Sequence, residues 1–123
     1  GIQPEDAVAR VHRLGGVCIA AHPTRAGMGF DERLLSMPVN AIEVQSVNLK
    51  EHEQRLASQL AQTAKLRPIA ASDAHQLADV GRYATEFDPP VRSMTDLHDA
   101  LLRGTFRPAG KPHVRGVFIP VSR

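Results

Sequence analysis

Two short apolar segments constrain this chain more than any other feature. Pro68-Ile69-Ala70-Ala71 runs straight into Ser72-Asp73-Ala74-His75, and Gly16-Val17-Cys18-Ile19-Ala20-Ala21 runs into His22-Pro23. Each apolar run has the length of a buried strand and is too short for a helix. Each also releases side chains that bind divalent metals: an imidazole after the first, a carboxylate and an imidazole one residue apart after the second. Strands of an α/β fold carry their chemistry in the loops at their carboxyl ends. The two segments therefore locate a candidate site before the fold is known.

The rest of the chain alternates around them. Pro4-Glu5-Asp6 opens a helix, because proline suits the first turn and acids there complement the helix dipole. Ala7, Val8, Val11 and Leu14 form its apolar stripe, and Gly15-Gly16 stops it. A strand follows over residues 17–21, then a glycine-containing loop over 24–30 and a short helix near 31–36. Ala41-Ile42-Glu43-Val44-Gln45 reads as a second strand. A longer helix over roughly 49–66 is expected to bury Leu49, Leu56, Leu60 and Ala64. Pro68 then breaks into the third strand, residues 69–71. A short fourth strand is expected over residues 83–87. A helix over 93–103 has Ser93 and Asp96 in capping-box spacing and Gly104 as its stop. A terminal strand is expected over 114–121, made irregular by Pro108, Pro112 and Pro120. Helices between short apolar strands predict parallel βαβ units. The end of the first strand (His22), of the second (Gln45-Ser46) and of the third (Asp73, His75) then fall on one rim.

Composition removes several function classes. The 123 residues predict one domain over 1–123, with 42% apolar residues and a net charge of +2. Basic residues are scattered and aromatics are 4%, which gives little support to nucleic-acid binding. No apolar run approaches the ~20 residues of a membrane span. A single cysteine, Cys18, excludes an internal disulfide and fits a reducing, cytoplasmic compartment. Its place inside a strand reads as core rather than nucleophile.

Gly15 to Pro23, Ile42-Glu43-Val44, Ala71 to His75, Val80-Gly81-Arg82 and Thr85-Glu86-Phe87 together resemble the carboxyl-terminal half of PHP-superfamily proteins (polymerase and histidinol phosphatase type). The resemblance runs from about Pro4 to Pro108. It implies an α/β fold that is part of a (β/α)7-type distorted TIM barrel, a site of two or three metals and hydrolysis of phosphate esters. By the resemblance His22 is a metal ligand, and Asp73 and His75 are the family's final Asp-x-His pair, the three being distributed over different ions. The family's His-x-His motif occurs nowhere in this chain, and only three or four clear strands are legible. The chain is accordingly expected to be the carboxyl-terminal portion of such a barrel and catalytically incomplete. Gln45-Ser46 stands where the family often has an asparagine after a tyrosine, and Ala71 where it has a glycine.

The chemistry also follows from the residue types. Aspartate oxygen and neutral histidine nitrogen suit Zn²⁺, Mn²⁺ or Fe²⁺, and a divalent metal lowers the pKa of water and clamps phosphate oxygens. The expected cofactor is a divalent metal on His22, Asp73 and His75. The expected partner is a phosphorylated small molecule or nucleotide. Arg25 and Arg82 are the substrate-binding candidates, since the guanidinium fork matches a phosphate. Glu43 either points into the site or is a structural partner for a nearby arginine, the second being favoured; His12, His52 and His98 read as surface residues. A different class of reading is a non-catalytic binding or regulatory module that keeps half of the fold. Unpaired strand edges predict a homo-oligomer, a swapped element, or an edge closed by residues 114–121. Ser72, Asp73 and His75 lie too close together for a serine triad, and no Gly-x-Ser-x-Gly is present.

Overall fold

A computed structural model describes residues 1–109; the strand expected over 114–121 lies outside them. The first helix, α1 (Pro4–Arg13), has Glu5 and Asp6 in its first turn and Arg10, His12 and Arg13 in its last, matching the dipole at both ends. Gly15 takes φ +77°, a left-handed turn that side-chain-bearing residues resist, and turns the chain toward the first strand.

Three strands, β1 (Ile19–Ala20), β2 (Ala41–Gln45) and β3 (Pro68–Ala70), form a parallel sheet in that order. Ile19 pairs with Ala41, Ala20 with Ile42 and Glu43 with Ile69; the register shifts between Glu43 and Gln45. A 3-10 helix (Asp31–Leu35) joins β1 to β2, and α2 (Glu51–Ala64) joins β2 to β3. Consecutive parallel strands place all three carboxyl ends on one side, which is the condition the sequence reading required. Among the described residues the sheet does not close into a barrel.

The core gathers Val8, Ala20, Leu34, Met37, Ile42 and Val44 with Ala57 and Ala61 of α2. The inner face of α2 differs from the expected leucine stripe. Positions 53, 57 and 61, four apart and therefore on one side of the helix, are the buried ones, whereas Leu56 is 50% exposed. Small side chains let α2 approach the Ile42–Val44 surface closely, and the bulkier leucine turns away.

The fourth strand exists but is not parallel. β4 (Thr85–Phe87) pairs antiparallel with β5 (Phe106–Pro108), and α3 (Met94–Arg103) lies between them in sequence. Ser93 caps α3, its Oγ accepting the Asp96 N–H at 3.0 Å. Phe87 and Phe106 hold the ribbon together with ring centroids 5.9 Å apart. Thr85 pins it to β3: its hydroxyl donates to the Ala70 carbonyl at 2.7 Å and accepts the Ala70 N–H at 3.0 Å.

Two histidines read as surface residues are structural. His12 Nε2 lies 3.0 Å from Asn40 Oδ1, which also accepts the Cys18 N–H at 2.7 Å, tying α1 to the sheet. His98 Nε2 donates to the Gly15 carbonyl at 2.8 Å and joins α3 to the end of α1. His52 is exposed, as expected. Cys18 packs against the core, and burial pushes its thiol pKa up, which suits a core residue. Among the described residues no helix is long and apolar enough to cross a membrane.

Candidate functional site

The rim forms where β1, β2 and β3 end. His22 follows β1 and Asp73 follows β3, and both have positive φ, +31° and +48°. Residues with a Cβ adopt this region at a cost on the order of 1–3 kcal/mol, and such strain concentrates at functional sites. The only other such residue among those described is Lys65, which ends α2 in the left-handed conformation common at helix termini.

Glu43 sits between the two. It is 5% exposed, and its Oε2 accepts the His22 backbone N–H at 2.7 Å. Of the two readings of Glu43, as an arginine's partner or as a residue directed at the site, the second is nearer: its partner is the His22 backbone N–H on the rim. Burial pushes the Glu43 carboxyl pKa up; the His22 N–H and imidazole pull it down, and the Asp73 carboxylate pushes it further up. His22, Glu43 and Asp73 thus share one electrostatic neighbourhood.

The other side of the rim is organised by Asn48, which the sequence reading did not single out. Its amide donates to the Asp73 carbonyl at 2.8 Å and to Asp73 Oδ2 at 2.7 Å. Those two bonds use both amide hydrogens, so the 3.3 Å approach to His75 Nδ1 is packing. His75 Nδ1 lies 2.8 Å from the Asp73 carbonyl, which can only accept, so Nδ1 carries the proton. The lone pair is then on Nε2. Metal-ligating histidines characteristically hold their other nitrogen in this way. The signal that points to Asn48 is its position, just beyond β2 on the rim already marked by Gln45-Ser46.

Arg25 Nη1 is 4.0 Å from Asp73 Oδ2, close enough to feel its charge but too far for a hydrogen bond. Arg82, the second substrate-binding candidate, is exposed and pairs at 3.4 Å with the buried Asp79 of its own turn. The Arg25 loop also lines an open cavity of about 560 Å³ with Pro23, Glu32, Leu56 and Leu60.

The donor chemistry suits a divalent ion. His22 Nδ1 is buried without a hydrogen-bond partner, as are Gln45 Oε1 and Ser46 Oγ, all beyond or at the ends of β1 and β2. Buried polar atoms are normally satisfied, so orphans on a rim mark places for a bound group. Yet among the described residues no three His, Cys, Asp or Glu side chains gather into one metal-holding group. His22, Asp73 and His75 share a rim without converging on one point.

A family model described as PHP-associated matches residues 51–106, a little under half of the chain. Searches of curated proteins and of solved structures found no match. The matched segment runs from α2 through β3 and the Asp73–His75 pair to the start of β5; His22 precedes it. Residues 51–106 are thus similar to a PHP-associated domain, in keeping with the carboxyl-terminal region of the PHP superfamily that the sequence resembles.

Proposed function

We propose that this chain supplies the carboxyl-terminal part of a metal-dependent hydrolase of phosphate esters, of PHP type, and that its parallel sheet is part of a (β/α)7 barrel. The observation that carries the reading is the pair His22 and Asp73. They follow two strands of one parallel sheet, both hold left-handed backbone, and both act on buried Glu43, His22 through a hydrogen bond from its backbone N–H and Asp73 through its charge. His22, Asp73 and His75 would hold divalent metal, zinc, manganese or iron, distributed over more than one ion, which accords with their not gathering into one group. Such an ion would supply Lewis-acid polarisation of a phosphoryl oxygen and activation of water. Arg25, beside Asp73, would receive a phosphate oxygen on its guanidinium fork. A phosphorylated small molecule or nucleotide is the substrate class that this arrangement fits.

The test is calorimetric titration of the chain with Mn²⁺ and Zn²⁺, repeated on His22→Ala, Asp73→Asn and His75→Ala. The expected result is binding weaker than micromolar that each substitution reduces, with no turnover of phosphate esters by these residues alone. Equal binding in all four proteins contradicts the ligand assignment. Submicromolar binding, or robust phosphatase activity, contradicts the catalytic incompleteness. The absence of a three-donor group among the described residues favours one second reading, a non-catalytic module that binds phosphorylated ligands through Arg25. Phosphate binding that is indifferent to added metal would select it.

A further inference from the structure

The loop that carries Arg25 is folded tightly on itself. Arg25 N–H donates to the His22 carbonyl at 3.1 Å, Met28 N–H to the Arg25 carbonyl at 3.0 Å, and Phe30 N–H to the Pro23 carbonyl at 2.8 Å. A Cβ on Gly29 would collide with the Pro23 carbonyl oxygen, so the close fold requires glycine there. This unit is fastened to α2 through one residue, Glu53. Glu53 Oε1 accepts the Ala26 N–H at 2.9 Å, and its backbone carbonyl accepts the Thr24 hydroxyl at 2.7 Å. The two ties flank Arg25, one on each side in sequence. The other carboxylate oxygen, Oε2, accepts the Lys50 N–H at 2.7 Å and so caps α2. A capping glutamate in the first turn of a helix is ordinarily exposed to solvent. This one is 3% exposed, because the loop lies over it. A buried carboxylate is kept only where its oxygens are well satisfied, and here the satisfaction comes from a loop that has a second reason to be held.

We propose that Glu53 is a positioning residue that clamps the 24–26 loop from both sides and so holds the Arg25 guanidinium beside Asp73, where it meets an oxygen of a bound phosphate. The inference rests on the reading of the rim given above and extends it. Arg25 stands 4.0 Å from Asp73 Oδ2, so its donors remain available to a phosphate oxygen. With the backbone fixed at Thr24 and Ala26, only the rotamers of Arg25 remain to be ordered when a ligand binds, which preserves affinity.

The test uses the full chain, Mn²⁺ and inorganic phosphate, with Glu53→Gln, Thr24→Ala, Arg25→Ala and the Glu53→Gln/Arg25→Ala pair. The first readout needs no ligand: the Arg25 Nε–Hε resonance is expected to move in Glu53→Gln and in Thr24→Ala. The second is phosphate affinity in the presence of Mn²⁺. Loss of a guanidinium–phosphate bond weakens binding on the order of tenfold, and that loss is expected in all three single variants. Because Glu53 acts through Arg25, Glu53→Gln is expected to add nothing to Arg25→Ala. An unmoved Arg25 resonance overturns the clamp, as does a Glu53→Gln effect that persists undiminished without Arg25. Thr24→Ala leaves the Lys50 cap in place. If Glu53→Gln fails to fold, an Arg25 resonance and phosphate affinity unchanged in Thr24→Ala overturn the inference by themselves. Wild-type protein that binds Mn²⁺ but no phosphate overturns the phosphate half. Wild-type protein that binds neither sinks the underlying reading, and the resonance still decides the clamp.

Discussion

Two adjacent residues of α2 offer a sharp contrast, because hydropathy and the structure rank them oppositely. Hydropathy places Leu56 in the core and treats Ala57 as incidental. In the structure Leu56 is 50% exposed and Ala57 is 0% exposed, facing the same core as Ile42 and Val44. Burying a whole leucine side chain is worth about 1.5–3 kcal/mol, so half-burial puts roughly 1 kcal/mol at stake in Leu56→Ala. Alanine's better helix propensity returns a few tenths of a kcal/mol. Ala57→Leu forces three further carbons into a place with no free surface. It must push α2 off the sheet or strain rotamers, at about 1–3 kcal/mol. At about 4 °C per kcal/mol, Leu56→Ala should lower the thermal midpoint by roughly 3 °C and Ala57→Leu by as much as about 12 °C. Circular dichroism melts, with urea midpoints as a second measure, compare the two. If Leu56→Ala proves the more damaging, the packing face of α2 is assigned wrongly.

Three further outcomes are expected. Asn48→Ala frees Asp73 from the amide that orients it and should weaken Mn²⁺ binding about 10- to 100-fold with little change in thermal midpoint; calorimetry giving wild-type affinity would contradict the role of Asn48. Burial raises the Glu43 carboxyl above its ordinary value, so the folded chain binds that proton more tightly than the unfolded chain. Stability from this group is then fully present below the ordinary glutamate pKa and is lost as pH rises through the raised one. Urea midpoints across pH should fall less steeply in that window for Glu43→Gln than for wild type, and a steeper fall refutes the assignment. Ser93→Ala removes the cap of α3 and should cost about 1 kcal/mol, read as a lowered urea midpoint; no change would mean that the cap bond is not formed in solution.

Much of this architecture could be read from local chemistry. Pro4 with two acids, Ser93 with Asp96, and the Gly15 and Gly104 stops act within a turn of chain, and the structure has α1 and α3 where those residues place them. The strands that became β1, β2 and β3 were visible as short apolar runs, although only β2 is covered on both faces as a central parallel strand is. What escaped depends on partners distant in sequence. The buried face of α2 follows from close approach to β2, where alanine serves better than leucine. β5 contains Pro108, which reads as a strand breaker, yet it pairs at the edge of a two-stranded ribbon where the lost N–H matters little. Asn48 and Glu53 look like an ordinary loop amide and a capping acid. Their roles exist only because Asp73 and the 24–26 loop fold against them from 25 and 27 residues away. His22, Asp73 and His75 were legible as rim residues because position after a strand is a local property. That they do not gather into one group among the described residues accords with the resemblance, which distributes the three over different ions.

Paramagnetic broadening by Mn²⁺ tests the central claim most directly, because it reports where an ion sits without requiring activity. Titrated against the ¹H–¹⁵N resonances of the chain, sub-stoichiometric Mn²⁺ should first erase the amides around His22, Asp73 and His75 while those around His12 and His98 persist. Broadening that begins at His12 and His98, or at the Glu5-Asp6 end of α1, would contradict the account.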